Sequence, residues 1–293
     1  MNKEYHFNKE RRTRDEECNK ESTVTQDSSS LIPHPSFKTI LTIAGSDTSA
    51  GAGIQQDLKT ITSLGHYAVT VPTALTAQNT VGVQRVMTVP EDMLEAQLQS
   101  VFSDINVEAI KIGMIPCVES ARVIVKFIKQ YDLPTVCDPV MISTSGTQLM
   151  SDDCVDYIKK ELFPLCTLVT PNIPEALRLS GNEGEYDIEE IGHVLVKEYN
   201  TAFLLKGGHG EGSIMRDVLF MTDGTTHEYC SPRIMTTNLH GTGCTLSSAI
   251  ATGLAMGLSL SEAVKIGKEV IDKGIAGGRN LRIGRGNGPL WLF

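Results

Sequence analysis

Short apolar segments alternate with longer amphipathic segments along most of this chain, and this alternation limits the folds open to it. The segments at 38–46, 107–114 and 133–140 ("KTILTIAGS", "VEAIKIGM" and "LPTVCDPV") are rich in apolar and β-branched residues. Strands that are buried on both faces have this composition, and they occur in parallel sheets covered by helices. The segment at 118–131 has the apolar spacing of a helix. The sequence therefore predicts an α/β fold in which a mostly parallel sheet is covered on both faces.

Three other segments carry more specific predictions. Residues 52–65 predict a helix that ends at Gly65. Residues 66–80 predict one strand, and residues 213–234 alternate with period 2 around "TDGT", which indicates a hairpin. The predicted helix has four apolar residues spaced for one buried face, and they are Ile54, Leu58, Ile61 and Leu64.

The apolar alternation begins near Phe37 and divides the chain in two. Residues 1–36 are polar and charged and lack the apolar core of a secretory signal, which predicts a disordered leader. Residues 37–293 contain no internal repeat and no long linker. A chain of this length can bury one large core, so we expect a single domain from 37 to 293.

The charge distribution and the cysteine pattern limit the classes of binding partner and the cellular compartment that we expect for this chain. The net charge is −9 and the charges are scattered, so neither nucleic acid nor an anionic membrane surface is an expected partner. No apolar run approaches the roughly 20 residues that cross a bilayer. The seven cysteines form no CxxC pair, which favours free thiols in the reducing cytoplasm. The histidine spacing predicts no zinc site.

Ligands in such folds bind at the carboxyl ends of the strands, so the loops there are the candidate site. The stretch "NLHGTGCTL" (238–246) is one of them. Gly241 and Gly243 permit close approach of a ligand, and the amides of 241–244 are expected to face a phosphate at a helix N-terminus. The same field lowers a thiol pKa, so Cys244 is predicted to be a thiolate near neutral pH. The alternative is a glycine turn with a structural cysteine.

Two further strand ends carry polar residues with two interpretations each. In "TPNIPEALRL", Asn172 and Glu175 are suited to a hydrated Mg²⁺, or they form a helix capping box. In "LLKGGH", Lys206 is suited to a polyphosphate contact, or it is a solvated lysine in a turn.

The early loops suggest contacts with an organic substrate. "AGSDTSAGAGIQQD" is a glycine-rich turn with Asp57 one turn into its helix, and "TAQNT" places the amide of Gln78 at a strand end. An amide offers a donor and an acceptor together, which suits a heteroaromatic ring bearing an amino group, although loop polarity alone also explains it. The segment 138–150, "DPVMISTSGTQLM", is a candidate lid.

Taken in this order, these stretches resemble the hydroxymethylpyrimidine/phosphomethylpyrimidine kinases of thiamine biosynthesis, which belong to the ribokinase-like superfamily. The likeness runs from about Thr39 to the C-terminus. The stretches that carry it are "TIAGSDTSAGAGIQQDLKT", "ALTAQNT", "KIGM", "DPVM", "TPNIPEA", "LLKGGH" and "PRIMTTNLHGTGCTLSSAIA". It implies a three-layer α/β/α sandwich that uses ATP and Mg²⁺. The implied reaction phosphorylates 4-amino-5-hydroxymethyl-2-methylpyrimidine, and then its monophosphate to the diphosphate.

The resemblance also implies a role for individual residues. Those implied to surround the pyrimidine are Gly45, Ala52, Asp57 and Gln78, with Met114 and Val140 as apolar walls. Those implied to handle the ATP phosphates and Mg²⁺ are Lys206, Thr242 and Gly243 for phosphate, and Asn172 and Glu175 for the metal. Cys244, in the turn that begins at Gly241, is implied to be the general base near the substrate hydroxyl.

Pyridoxal kinases of the same fold are the main alternative, together with a dual-substrate vitamin kinase. Family lids commonly carry a lysine where this chain has Thr144, which is expected to weaken the second phosphorylation. Cys117 is interpreted as a packing residue. A non-catalytic binding protein is disfavoured because Cys244, Glu175 and Lys206 are all present. The resemblance further suggests a homodimer.

Overall fold

The computed structural model describes residues 37–143, 146–182, 187–207 and 212–293. The strands within these ranges are β1 Thr39–Ala44, β2 Tyr67–Pro72, β3 Ala74–Asn79, β4 Gly82–Thr88, β5 Ala109–Ile112, β6 Thr135–Cys137, β7 Leu168–Val169, β8 Ala202–Lys206, β9 Ile214–Phe220 and β10 Thr226–Pro232. The helices are α1 Gly53–Ser63, α2 Glu91–Asp104, α3 Val118–Tyr131, α4 Asp152–Glu161, α5 Ile173–Ser180, α6 Ile188–Tyr199, α7 Thr242–Ala255 and α8 Leu260–Gly278. A short 3₁₀ turn, Phe163–Leu165, follows α4.

Eight strands form the central sheet in the order β10-β9-β8-β7-β6-β5-β1-β2. The strands from β2 to β8 in this order are parallel, and β9 and β10 are antiparallel additions at one edge. The predicted hairpin at 213–234 is confirmed as the β9–β10 pair. Because the parallel strands share one direction, the loops after β1, β5, β6, β7 and β8 gather at one edge of the sheet.

Side chains alternate between two apolar clusters, one on each face of the sheet. On one face, Ile43 and Leu205 pack with helices α2 to α6. On the other face, Ile40 and Leu204 pack with α1, α7 and α8. Neighbouring strand residues point to opposite faces, so strands covered on both sides must be apolar at nearly every position. The α/β/α architecture predicted from the sequence is confirmed.

Helix α1 does not bury the face that its apolar spacing predicts. Its buried residues are Gln56, Asp57, Thr60 and Ile61. Leu58 is exposed instead. Two of these polar side chains have partners on α7, since Gln56 Nε2 donates to Thr245 Oγ1 at 3.0 Å and Asp57 Oδ1 accepts from Ser248 Oγ at 2.8 Å. Thr60 donates its hydroxyl to Gln56 O within α1 at 2.8 Å. A buried polar face of this kind is tolerated only where such partners exist.

The predicted strand at 66–80 is divided in two at Thr73. β2 stays in the central sheet, whereas β3 pairs with β4 in a separate two-stranded sheet. Thr73 donates its amide to Ala44 O at 2.9 Å and its hydroxyl to Met114 O at 2.7 Å. These bonds tie the division point to the ends of β1 and β5, so the β3–β4 hairpin starts at the edge where the loops gather.

Residues 37–293 group as one unit by their internal contacts. Residues 1–36 lie outside the described ranges, so the division into a leader and one domain stays a prediction, and Thr144 of the lid also lies outside them. Among the described helices, none combines the length and the apolar character that a membrane span requires.

Candidate active site

Two glycine-rich loops interlock at the base of the site. Gly241 precedes α7 with φ +88°, and a Cβ on it would lie 1.9 Å from the carbonyl oxygen of Gly51. Gly53 opens α1 with φ +58°, and a Cβ there would lie 2.3 Å from Gly45 O. Positive φ and a backbone neighbour at this distance both exclude a side chain. Glycine is therefore required where the β1–α1 loop meets the start of α7.

The N-terminus of α7 provides part of the predicted phosphate nest. Thr242 donates its amide to Leu239 O at 3.3 Å, so this amide is used within the loop. Within the described part of the chain, the amides of Gly243 and Cys244 have no hydrogen-bond acceptor. Unpaired amides at the first turn of a 14-residue helix favour an anion. The predicted nest is present, with fewer free amides than expected.

A buried ion pair lies directly against this helix start. Lys206 Nζ, at the end of β8, is 2.7 Å from Asp138 Oδ1, which follows β6. A Cβ on Gly243 would lie 2.8 Å from Asp138 Oδ2 and 3.4 Å from Lys206 Nζ. Asp138 also accepts a hydrogen bond from Thr170 Oγ1 at 3.1 Å. The lysine is therefore not a solvated turn residue, and a cation, a carboxylate and two free amides meet at one point.

Asn172 and Glu175 form the capping box that was one of their two predicted interpretations. Asn172 Oδ1 accepts from Glu175 N at 2.9 Å, and Glu175 Oε2 accepts from Asn172 N at 2.9 Å. Burial raises the pKa of Glu175 to about 7; Lys206 opposes this rise and Asp138 adds to it. Lys206 N also bonds Pro171 O at 3.0 Å, which places this helix start beside the Lys206–Asp138 pair.

The thiol of Cys244 is protonated at neutral pH, so the predicted thiolate is wrong for this resting site. Burial raises the pKa of Cys244 to about 11, and the carboxylates of Asp57 and Asp138 add to this effect. Lys111 and an amide hydrogen bond from Gly53 lower the pKa but do not outweigh it. The helix N-terminus alone predicts the opposite shift. For the pKa of Cys244, removal of the thiol from water and two nearby negative charges outweigh the effect of the helix N-terminus.

Asp57 does not reach the open part of the site, which corrects the expectation that it contacts the pyrimidine. Its side chain is fully buried. Its oxygens accept hydrogen bonds from Thr42 Oγ1 at 2.6 Å, Lys111 Nζ at 2.8 Å and Ser248 Oγ at 2.8 Å. These three donors and the lack of exposure give it a supporting role beneath Cys244.

Gln78 is the implied pyrimidine ligand that the structure places at an accessible position with a polar partner. It lies at the end of β3 and is partly buried. One end of its side-chain amide is 3.3 Å from His240 Nε2, the oxygen and nitrogen of an amide being assigned from its hydrogen bonds, and His240 Nε2 is 2.8 Å from Asp47 Oδ2. Asp47 and His240 were not predicted as site residues. His240 directly precedes the turn at Gly241, so it links the β3 end to the nest.

The implied apolar walls, Met114 and Val140, lie near the same loops as Gly45 and Ala52, which were implied to surround the pyrimidine. A Cβ on Gly45 would meet Met114 Sδ at 2.8 Å, so these two residues pack directly on each other. Ala52 is the residue before α1 and is partly exposed, as is Val140. Val140 N donates to Asp138 O at 2.8 Å, which keeps it beside the ion pair.

Asp138 is the charged residue that the sequence reasoning missed. It stands in "DPVM", which was interpreted as the start of a lid. It follows directly after a predicted parallel strand, and the rule that strand ends carry ligands already applied to it. The contact with Lys206, 68 residues away, is visible only in the structure.

A cation, a carboxylate and free helix amides at the carboxyl edge of a mostly parallel sheet, covered by helices on both faces, are typical of a small-molecule kinase. The chain belongs to the phosphomethylpyrimidine kinase family, since the model of that family matches residues 47–291. It is 43% identical over 256 residues to a hydroxymethylpyrimidine/phosphomethylpyrimidine kinase of Rhizobium meliloti (strain 1021), covering 86% of this chain and 96% of the relative.

Two solved structures share the fold. The phosphomethylpyrimidine kinase of Clostridium difficile 630 superimposes with a TM-score of 0.72 at 39% identity, covering 81% of this chain and 99% of the other. An ADP complex of Bacillus subtilis pyridoxal kinase gives a TM-score of 0.79 at 32% identity, covering 88% of this chain and 98% of the other. The second likeness shows that kinases of two vitamins share this scaffold.

Proposed function

We propose that this chain transfers the γ-phosphoryl group of ATP to the hydroxymethyl group of 4-amino-5-hydroxymethyl-2-methylpyrimidine, and then phosphorylates the monophosphate to the diphosphate. The observation that carries the proposal is the meeting of Lys206, the free amides of Gly243 and Cys244, and the Cys244 thiol at one helix start. A cation and free amides stabilise the charge of a phosphoryl group in transfer. The thiol at the same helix start is proposed to lie where the acceptor hydroxyl approaches.

Cys244 is proposed to orient the substrate hydroxyl. Because its pKa is about 11, the thiol form prevails at neutral pH, which favours the positioning role over that of a preformed general base. Phosphoryl transfer passes through a loose transition state, so correct placement of the hydroxyl contributes more than early removal of its proton. Thr242 and Gly243 at the same helix start are proposed to contact the transferred phosphate.

The donor set fits Mg²⁺ bound together with ATP. Asp138 and Glu175 offer carboxylate oxygens, the ligand type that Mg²⁺ prefers. Within the described residues no group of three or more metal-binding side chains exists. Two carboxylates suffice for Mg²⁺, which commonly keeps several waters and takes its other ligands from substrate phosphates. When bound, Mg²⁺ supplies charge neutralisation between the phosphates. Asn172 is proposed to act indirectly, since its side chain holds Glu175 through the capping box.

The pyridoxal kinase reaction is the second candidate, favoured by the likeness to the Bacillus subtilis enzyme. Release of ADP from MgATP separates the two when hydroxymethylpyrimidine, its monophosphate and pyridoxal are offered in parallel. The proposal expects turnover on both pyrimidines, with pyridoxal much slower. Turnover on pyridoxal alone would reject it. If only the monophosphate were turned over slowly, the second phosphorylation would be the impaired step, which is the step that Thr144 is expected to weaken. The homodimer and the cytoplasmic location stay predictions.

A further inference from the structure

We propose that His240 is a positioning residue that fixes the orientation of the Gln78 amide, and that this orientation selects an aminopyrimidine over other aromatic alcohols. The inference deepens the proposed function and rests on it, because it assigns Gln78 to the ring of the substrate. Three steps lead to it: the charge state of Asp47, the hydrogen on His240 Nε2, and the donor and acceptor balance around Gln78.

Asp47 is a buried carboxylate that is held ionised. Its Oδ1 accepts from the amide and the hydroxyl of Ser49, both at 2.8 Å. Its Oδ2 accepts from Gly51 N at 3.1 Å and Ala52 N at 2.8 Å, and lies 2.8 Å from His240 Nε2. Burial on its own raises the pKa of Asp47, but the hydrogen bonds from His240 and Ser49 outweigh it and hold the pKa below its usual value.

The ionised carboxylate determines where His240 carries its hydrogen. A carboxylate only accepts hydrogen bonds, so the imidazole nitrogen 2.8 Å away must be a donor. His240 Nε2 therefore bears a hydrogen, in the neutral ring as well as in the charged one. The ring cannot turn freely, since a Cβ on Gly51 would lie 2.4 Å from His240 Cδ2, which shows how closely the loop packs on it.

Thr76 constrains the other end of the Gln78 amide. The Thr76 hydroxyl donates its one hydrogen to Ser46 O at 2.8 Å, so towards Gln78 it can only accept. The Gln78 terminus therefore lies between an acceptor, Thr76 Oγ1, and His240 Nε2–H, whose single hydrogen bonds Asp47 Oδ2 at 2.8 Å and reaches Gln78 at 3.3 Å only as the weaker branch of a shared hydrogen bond. The balanced arrangement directs the Gln78 NH₂ to Thr76 and the Gln78 carbonyl oxygen to His240. The opposite orientation sets two acceptors against each other at 3.4 Å and two donors at 3.3 Å.

An oriented amide distinguishes between rings. Gln78 has one N–H and one oxygen lone pair left for a ligand, in an order that His240 and Thr76 fix. A 4-aminopyrimidine presents an amino donor next to a ring-nitrogen acceptor, which matches such a pair. The ring of pyridoxal has no amino group beside its nitrogen. Since the hydroxymethyl group must reach Cys244, the ring cannot turn over to suit a reversed amide. A site built to bond a polar edge rejects analogues that lack it.

The first test reads the His240 hydrogen without any turnover. Long-range ¹H–¹⁵N spectra of the full chain, with the His240 signals assigned by loss in His240→Leu, report which ring nitrogen is protonated. We expect a protonated Nε2, and a shift of that resonance in Gln78→Leu that is absent in the control Thr225→Ala, a residue of the β9–β10 turn. A ring protonated at Nδ1 alone, or no response to Gln78→Leu, would overturn the proposal even if the substrate assignment holds.

The second test is a double-mutant cycle on KM. We expect His240→Leu to raise the KM for hydroxymethylpyrimidine about tenfold, or about 1.4 kcal/mol, while kcat and the KM for ATP stay within about twofold. His240→Gln, which restores an N–H donor, should recover part of the loss. In the Gln78→Leu background, His240→Leu should have little further effect, because the amide that it orients is gone.

A matched control separates orientation from general loosening of the loop. Ser49→Ala removes a hydrogen bond to Asp47 without touching His240, and it should leave the KM for pyrimidine within about twofold. Equal effects of Ser49→Ala and His240→Leu, or additive effects in the cycle, would overturn the proposal. If the wild-type chain does not turn over the pyrimidine, the proposed function fails, whereas the spectra still decide whether His240 orients Gln78.

Discussion

Lys206 Nζ and Asp138 Oδ1 are 2.7 Å apart, although the two residues come from strands β8 and β6, which lie on either side of β7. The pair spans the carboxyl edge of three neighbouring strands and lies against the first turn of α7. Neither charge is well exposed, with 17% and 3% of the side chains accessible. Each therefore depends mainly on the other for compensation of its charge.

Replacement of Lys206 by methionine removes the cation and leaves Asp138 buried with Thr170 as its hydrogen-bonding side chain. We expect kcat to fall by at least about 100-fold, as for loss of one group that stabilises transition-state charge. Stability should fall by up to about 3 kcal/mol because one partner of a buried pair is lost. The control is Lys129→Met, which breaks the exposed pair with Glu161 and should cost at most about 1 kcal/mol. Similar kinetics in both variants would contradict the assignment.

Cys244 should be slow to react with iodoacetamide at pH 7, because its pKa of about 11 leaves little thiolate. The rate should rise steadily as the pH increases towards 11, without a plateau near neutrality. Mass mapping of the labelled cysteines measures this, with the exposed Cys230 as the internal reference. Labelling of Cys244 that saturates below pH 8 would restore the thiolate predicted from the sequence.

Cys244→Ala should keep ATP binding and lose most turnover, since the side chain proposed to orient the acceptor hydroxyl is removed while the amides of the helix remain. Calorimetric titration with a non-hydrolysable ATP analogue and steady-state kinetics measure the two properties separately. Near-normal turnover in this variant would remove the cysteine from the mechanism.

Glu175 should make folding stability decrease as the pH rises. Its pKa is about 7 in the folded state and 4.5 as the reference value, so the folded state binds more protons between these values. The contribution is fully present below pH 4.5 and is lost as the pH rises through 7. Glu175→Gln, which can keep the capping-box acceptor, should therefore be more stable relative to wild type at pH 8 than at pH 5, by about 2 kcal/mol.

Guanidinium unfolding at the two pH values measures this difference. Glu262→Gln is the matched control, because Glu262 completes the capping box of α8 but is exposed. Its pKa is lowered by hydrogen bonds from Ser259, so its contribution is present above pH 4.5 and has the opposite sign. If the stability of Glu175→Gln relative to wild type changed with pH in the same direction as that of Glu262→Gln, the raised pKa of Glu175 would be contradicted.

Gly241→Ala should abolish activity, because a Cβ there would lie 1.9 Å from the Gly51 carbonyl and the two loops could not interlock. Gly257→Ala is the control: its φ of +82° is similar, but nothing lies within 4 Å of the added carbon. That variant should cost only about 1–2 kcal/mol for the left-handed conformation and keep its turnover. Comparable activities in the two variants would show that the loops need not meet.

The sequence predicted the sheet and its two helical layers because burial on both faces makes β1, β5 and β6 apolar or β-branched at every position except Lys111. It did not predict the buried face of α1. Asp57 is buried there because Ser248, 191 residues later, donates to it, and no local periodicity contains that contact. The spacing of apolar residues predicts the buried face of a helix where that face packs in an apolar core. It fails where the buried face is polar and is held by hydrogen bonds from residues distant in the sequence.

The candidate site was predictable to the extent that single loops define it. Gly241 and Lys206 could be selected because each stands at a strand end or a helix start. The protonation of Cys244 could not be predicted, since its pKa is raised first by burial in the folded chain and then by carboxylates from two other segments, Asp57 and Asp138. The link between Gln78 and His240, 162 residues apart, was also outside the reach of the sequence.

The most direct test follows the products in one reaction. Purified protein, MgATP and hydroxymethylpyrimidine are incubated together, and mass spectrometry records the pyrimidine, its monophosphate and its diphosphate over time, with pyridoxal in a parallel tube. The account predicts that the monophosphate rises first and then gives way to the diphosphate, while pyridoxal phosphate accumulates far more slowly. Unchanged pyrimidine beside rapid formation of pyridoxal phosphate would contradict it.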